Sequence, residues 1–267
     1  MPHINVNGLQ IHYREIGEGP PIVMVHGYTG NSRNWALTVP ALRDRFRCVS
    51  IDLPGHGLSD RPADAAAYSL PAMAETVFGA MRALGVEPAC VMGHSMGGMV
   101  SQFVVLEHPD AVHALVLVDT AGEPIEMRNR YRQRLVEAAR ANGLEAAFEL
   151  HLAAAPASER SNERFVQLWR EQFLMTSLDA YIACAEAMAG RASLLPRLRE
   201  VAVPTLFVCG EKDEPFIEPS RHMHEAIAGS ELAMIPNCGH SPEIEMPAEF
   251  NRLLLGFLAR VHASAPA

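Results

Sequence analysis

One pentapeptide, Gly93-His94-Ser95-Met96-Gly97, restricts this chain more than any other stretch. A short apolar run at 89–92 precedes it. A helical pattern follows, with Met99, Val100, Phe103, Val104 and Leu106 apolar and Ser101 and Gln102 on the other face. Strand, tight glycine turn and helix, in that order, leave Ser95 exposed at a strand end. The positive end of the following helix then lies beneath it. Gly93 and Gly97 give room where a side chain would collide with neighbouring backbone in so sharp a turn.

The rest of the chain repeats the same alternation. Residues 3–16 predict a hairpin turning at Asn7-Gly8. The continuous apolar run at 22–25 suits a strand buried on both faces of a parallel sheet. Further strands are expected at 46–51, 114–118, 203–209 and 232–235. Helices are expected at 33–43, 70–84, 219–228 and 247–261, with 262–267 as a frayed tail. Strands alternating with helices imply an α/β class and a mostly parallel central sheet with helices on both faces. Between 121 and 195 the strand-like runs vanish, and helices are expected from Glu123-Pro124 onward, at 160–175 and at 178–189. Phe148, Phe165, Trp169, Phe173, Tyr181 and Met188 would supply their apolar faces. The chain therefore divides into a core at 1–120, a helical insertion at 121–195 and the remainder of the core at 196–267.

Composition narrows the function classes. A 267-residue chain with 49% hydrophobic residues can bury a sizeable core. Its net charge of −9, from 22 basic and 31 acidic residues, argues against nucleic acid as a partner. No apolar run approaches the ~18 residues of a membrane span. The start, Met1-Pro2-His3-Ile4-Asn5-Val6, lacks the basic and apolar regions of a signal peptide, so a cytoplasmic location and no membrane partner are expected. Cys48, Cys90, Cys184, Cys209 and Cys238 contain no C-x-x-C pair and read as thiols in a reducing compartment. With no zinc-type spacing and no H-E-x-x-H, neither a metal nor a cofactor is expected.

Polar groups capable of chemistry fall where strands end: His26-Gly27-Tyr28, Ser95, Asp119, Asp213 and His240. Sites in open parallel sheets form beyond those carboxyl ends. Serine, then acid, then histidine is the order of one particular fold. On His26-Gly27, Asp52-x-Pro54-Gly55-His56-Gly57-x-Ser59, Gly93-x-Ser95-x-Gly97-Gly98, Gly210-x-x-Asp213 and Gly239-His240, the chain resembles the α/β-hydrolase family over essentially its whole length. The resemblance is to its serine esterase and lactonase-like branch with a helical cap. It implies Ser95 as nucleophile, His240 as general base and Asp213 as the acid that orients the imidazole. It also implies an oxyanion hole built from the backbone N–H groups of Tyr28 and Met96. Asp119 is the alternative acid, since some members take theirs from that strand end. Asp52 is expected to organise the 55–59 turn, His56 to fix its loop, His94 to turn away from the Ser95 hydroxyl and Cys238 to pack.

Departures narrow the branch. Serine at the turn argues against haloalkane dehalogenases and epoxide hydrolases, which carry aspartate there. A single glycine follows His26, unlike the His-Gly-Gly-Gly esterases. Ser241 stands after His240 where several carbon–carbon bond hydrolases have an aromatic. A cofactor-free hydrolase of a small-molecule ester or lactone is therefore expected. Cleavage of a vinylogous diketone is one alternative, and a hydrolase-fold ligand receptor with little turnover is another. Arg128, Arg130, Arg132 and Arg134 alternate with polar residues in the insertion. They make either a solvated charged face or, at one position, a contact for a substrate carboxylate.

Overall fold

The computed structural model describes residues 2–155, 160–161 and 163–263. Strands β1 (His3–Val6) and β2 (Leu9–Ile16) form the expected hairpin. Val6 pairs with Leu9 across Asn7 and Gly8, whose positive φ values of 51° and 91° suit a two-residue type I′ turn. The other strands are β3 (Pro21–Val25), β4 (Arg47–Ile51), β5 (Ala89–His94), β6 (Val112–Val118), β7 (Thr205–Gly210) and β8 (Glu231–Ile235). Together they make one eight-stranded sheet in the order β1-β2-β4-β3-β5-β6-β7-β8. The first two pairings are antiparallel and the rest are parallel. After β3 the chain builds β4 on one side and then returns to build β5 on the other. That reversal opens a crevice beyond the carboxyl ends of β3 and β5.

Helices follow as α1 (Val39–Leu42), α2 (Leu70–Leu84), α3 (Met96–Glu107), α4 (Glu126–Asn142), α5 (Leu144–Ala154) and α6 (Glu163–Phe173). Then come α7 (Leu178–Gly190), α8 (Leu195–Leu198), α9 (Glu214–Ala226), α10 (Pro242–Glu245) and α11 (Pro247–Ala263). Strand alternation sorts the core into two layers. Val23, Val25, Val91, Leu115 and Leu117 pack with Met73, Val77 and Met81 of α2 and with Met99 and Val104 of α3. Ile22, Met24, Met92, Val116 and Val208 face the other way, onto Trp35 and onto Phe250, Leu254 and Phe257 of α11. Burial of each such side chain contributes roughly 1.5–3 kcal/mol. Helices α4 to α7 carry a cluster of their own around Leu135, Phe148, Phe173 and Tyr181, with Trp169 and Tyr28 against it.

Several boundaries differ from the sequence reading. The helix expected at 33–43 is a 3-10 turn, Ser32–Trp35, followed by the single turn α1. Pro40 has no N–H to give the Ala36 carbonyl, so the longer helix cannot propagate. Helix α9 begins at Glu214, ahead of the expected 219, with Pro215 in its first turn and Pro219 inside it. Strand β7 starts only after Pro204, which has no N–H for the ladder. His262 and Ala263, expected in a frayed tail, close α11, while 264–267 lie outside the described residues. Residue 162, in the helix expected at 160–175, and the Phe165 side chain lie outside them too. No helix among the described residues is long and apolar enough to cross a membrane.

Candidate active site

Ser95 adopts φ 52° and ψ −115°, a conformation that L side chains rarely take. Holding it there costs of order 1–3 kcal/mol. Glycine makes it possible: a Cβ on Gly93 would stand 2.3 Å from the Gly97 carbonyl oxygen, and one on Gly97 would stand 2.3 Å from that of Val25. Two hydrogen bonds pin the turn, Ser95 N–H to the Val118 carbonyl at 2.9 Å and Thr120 Oγ1 to the Ser95 carbonyl at 2.7 Å.

The strained turn aims Ser95 Oγ at His240 Nε2, 3.0 Å away. His240 Nδ1 in turn donates to Asp213 Oδ2 at 2.7 Å. These three groups come from the ends of β5, β7 and β8, so 145 residues of chain close into one hydrogen-bonded row. The Phe216 ring packs on the imidazole with centroids 4.7 Å apart. Burial pushes the His240 imidazole below the ordinary 6.5, against the pull of Asp213. The ring is therefore neutral at pH 7, with Nε2 free to accept a proton.

The two candidate acids take different places. Asp213 meets the histidine, and Asp119 stands behind it, accepting from the Gly210 N–H at 3.0 Å. Burial opposes the charge on Asp213, yet His240 and a hydrogen bond from Asp119 hold its carboxyl below the usual range. Burial and the neighbouring Asp213 drive Asp119 well above that range. Asp119 is thus the carboxyl of the pair that favours its proton. Ligand atoms of Asp119, Asp213 and His240 lie within 4.8 Å of one another, the compass of a metal site.

Around this row each candidate polar residue has a structural partner. His26 Nδ1 donates to the Gly27 carbonyl at 2.7 Å and Nε2 accepts from the Leu53 N–H at 3.0 Å, which fixes its tautomer and the loop after β3. Tyr28 in that loop stacks on Tyr181, centroids 4.9 Å apart, and its hydroxyl donates to the Tyr181 carbonyl. The Met96 N–H is the first of α3, where no carbonyl four residues back is available to it. Among the described residues neither the Tyr28 nor the Met96 N–H serves a turn or a side-chain acceptor. Asp52 accepts from the Ser32 and Leu58 N–H groups at 2.6 and 2.9 Å, and its carbonyl accepts from Ser59 Oγ, so it organises the 55–59 turn. His56 Nδ1 donates to the Pro54 carbonyl at 2.9 Å. His94 turns its ring from Ser95 and bonds the His240 carbonyl through Nε2 at 2.6 Å. Cys238 is fully buried, with its thiol pushed up to about 12 by burial, which removes it as a nucleophile near pH 7.

Three residues to which the sequence assigns no role stand near the site. Glu245 accepts from both the Gly239 and Ser241 N–H groups, at 2.8 and 2.9 Å, and so clamps the backbone on either side of His240. Glu243 is fully buried 3.7 Å from His94 Nδ1, and burial pushes its carboxyl up to about 8. His151 bonds the Tyr131 hydroxyl at 2.8 Å, and burial lowers its imidazole to about 4. Glu245 lies in the stretch after His240, whereas no spacing rule links His151 to the motifs. Of the four arginines on α4, Arg130 and Arg134 are exposed, Arg128 is half-buried and Arg132 is buried, so they do not share one solvated face.

The sequence profile of the alpha/beta hydrolase fold matches residues 20–247. The chain is 28% identical to the enol-lactonase from Burkholderia xenovorans LB400, with a TM-score of 0.87 over 97% of this chain and 100% of that one. A thermophilic esterase from Thermogutta terrifontis, solved with malate bound, gives 26% identity and a TM-score of 0.86 over 97% of each chain. The 2-hydroxymuconate semialdehyde hydrolase of Pseudomonas sp. (strain CF600) is 29% identical over 97% of this chain and 93% of its own length. Read together with the sheet order and the strained turn after β5, these likenesses show that the chain belongs to the α/β-hydrolase family.

Proposed function

We propose that this hydrolase cleaves a small carboxylic ester or lactone through an acyl-enzyme on Ser95. The observation that carries the reading is the row Ser95 Oγ, His240 Nε2, His240 Nδ1, Asp213 Oδ2, with spacings of 3.0 and 2.7 Å. A serine hydroxyl is a poor nucleophile near neutral pH without a base beside it. His240 takes the hydroxyl proton as Ser95 attacks the carbonyl carbon, then returns it to the leaving alkoxide. Water then gives a proton to His240 as its oxygen attacks the acyl carbon, and the ester bond to Ser95 breaks as His240 returns that proton to Ser95 Oγ and the acid leaves. Asp213 holds the tautomer that keeps Nε2 free, and it stabilises the transient imidazolium. The N–H groups of Tyr28 and Met96 receive the oxyanion of each tetrahedral intermediate. Losing one such donor typically costs ~100–1,000-fold in rate.

Residues 1–120 and 196–267 form the catalytic core in this reading. The insertion at 121–195 sets acyl and alcohol preference, since Tyr181 of α7 stacks on Tyr28 beside the oxyanion position. Likeness to an enol-lactonase and an esterase supports ester or lactone chemistry. A second reading, carbon–carbon cleavage of a vinylogous diketone, is favoured by the likeness to 2-hydroxymuconate semialdehyde hydrolase.

Initial rates on 4-nitrophenyl esters of increasing acyl length, wild type beside Ser95→Ala, test the proposal. The variant is expected to lose at least ~1,000-fold in kcat. Turnover that survives the substitution refutes the nucleophile. Turnover of a ring-cleavage dienoate with no turnover of esters selects the second reading.

A further inference from the structure

We infer that the substrate carries a carboxylate, and that Arg128 of α4 binds it beside the reacting ester or lactone group. This rests on the reading above and names the substrate class of the same site.

A guanidinium inside a protein is ordinarily paired with a carboxylate. Arg128 is half-buried, its Nε is fully buried without a hydrogen-bond partner, and among the described residues no carboxylate pairs with it. Its guanidinium instead lies over the Phe216 ring, 5.4 Å from the centroid. The same ring packs on His240 with centroids 4.7 Å apart. The guanidinium is thus no farther from the imidazole than those two spacings laid end to end, a span that a small half-ester bridges. Its charge is felt at His240, at Asp213 and, across the insertion, at Tyr131 and His151. Asp213 hydrogen-bonds His240 and Asp119 lies behind it, so neither carboxyl pairs with the guanidinium at hydrogen-bond distance, and the Asp213 charge reaches it only through space.

One turn along the same face, Arg132 strengthens the field. It is 9% exposed, and it donates to a neutral group, the Asn129 side-chain oxygen, at 2.9 Å. Arg191 is next, donating to the carbonyls of Met188 and Glu123. Burial and the neighbouring Arg128 oppose the charge on Arg132, and burial and Arg132 oppose that on Arg191. The nearest acid, Glu123, is engaged by His222 at 2.8 Å. Within a chain of net charge −9, Arg128 and Arg132 thus lie one helical turn apart with no carboxylate hydrogen-bonded to either among the described residues, Arg128 over the ring that packs on His240. A carboxylate accepts two parallel hydrogen bonds from a guanidinium, and a neutral acyl chain accepts none.

The experiment measures kcat/KM for 4-nitrophenyl half-esters of adipic, pimelic and suberic acids beside the neutral 4-nitrophenyl hexanoate, heptanoate and octanoate. Wild type, Arg128→Met, Arg128→Lys and Arg134→Met are compared, each checked for native folding by thermal unfolding. Wild type is expected to prefer the half-esters. Arg128→Met lowers the acid-to-neutral ratio by about 30-fold or more, chiefly through KM. Arg128→Lys recovers part of it, and Arg134→Met on the exposed face leaves the ratio within about twofold. Turnover of the neutral esters with a ratio that Arg128→Met does not move overturns the inference and leaves the ester-cleaving reading intact. If no ester is turned over and a fluorophosphonate does not label Ser95, the ester-cleaving reading fails. Calorimetric titration with glutarate and adipate then decides the inference: binding lost in Arg128→Met upholds it, and no binding to wild type overturns it.

Discussion

Glu243 shows how a single buried residue couples the site to pH. Its carboxyl belongs to no ion pair at hydrogen-bond distance, and burial lifts it from the ordinary 4.5 to about 8. In the folded state the group keeps its proton to near pH 8, while the unfolded chain releases it above 4.5. Folding therefore takes up a proton between those values, and Glu243 lowers stability progressively as pH rises, by ~1.4 kcal/mol per unit. Glu243→Gln removes that penalty at constant shape. Its Tm is expected to match wild type near pH 4.5 and to exceed it by a margin that widens up to pH 8. A constant margin across that range sinks the argument. At this scale the sequence was informative about Ser95, Asp213 and His240, because each follows a strand and sits in a glycine-marked turn. The choice of Asp213 over Asp119 came from the family resemblance and not from the local pattern, since which acid meets His240 Nδ1 is a matter of side-chain direction between adjacent strands. Arg128 and Arg132 were separable from Arg130 and Arg134 only by the docking of α4, which no local pattern encodes.

Elements carry the site through close approach of backbones. At Gly97 the start of α3 runs so near the end of β3 that a methyl group would fall 2.3 Å from the Val25 carbonyl and 2.5 Å from that of His26. Gly97→Ala is expected to push α3 off the sheet and cost at least ~2 kcal/mol in chemical denaturation, with activity lost alongside. A variant of wild-type stability would mean that the helix has slack. Strands were legible because their apolar runs are bounded by glycine and proline. Helix limits were less so, since proline was read as the start of α9 at 219 when Asp213 and Pro215 begin it earlier. Pro219 falls in the second turn, and the carbonyl it leaves unserved belongs to Pro215. The same residue type cut the helix expected at 33–43 to one turn, so proline marks a disturbance without saying on which side the helix lies.

The whole molecule keeps its reactive sulfur out of reach. All five cysteines are free and buried, and burial lifts Cys90, Cys184 and Cys238 to about 12 and Cys48 to about 11. An aromatic disulfide reagent is expected to titrate no thiol in the native protein and five after unfolding in guanidinium. Fast labelling of a native thiol contradicts this packing. The chain's connectivity has a consequence of another kind. Strands β6 and β7 are hydrogen-bonded neighbours, Leu115 beside Thr205 and Val118 beside Val208, although α4 to α8 intervene between them. Descent with modification can lengthen, shorten or replace that excursion while the two strands keep their register. New substrates are then acquired by rewriting one continuous stretch of gene, and the strained serine beneath it is inherited unchanged.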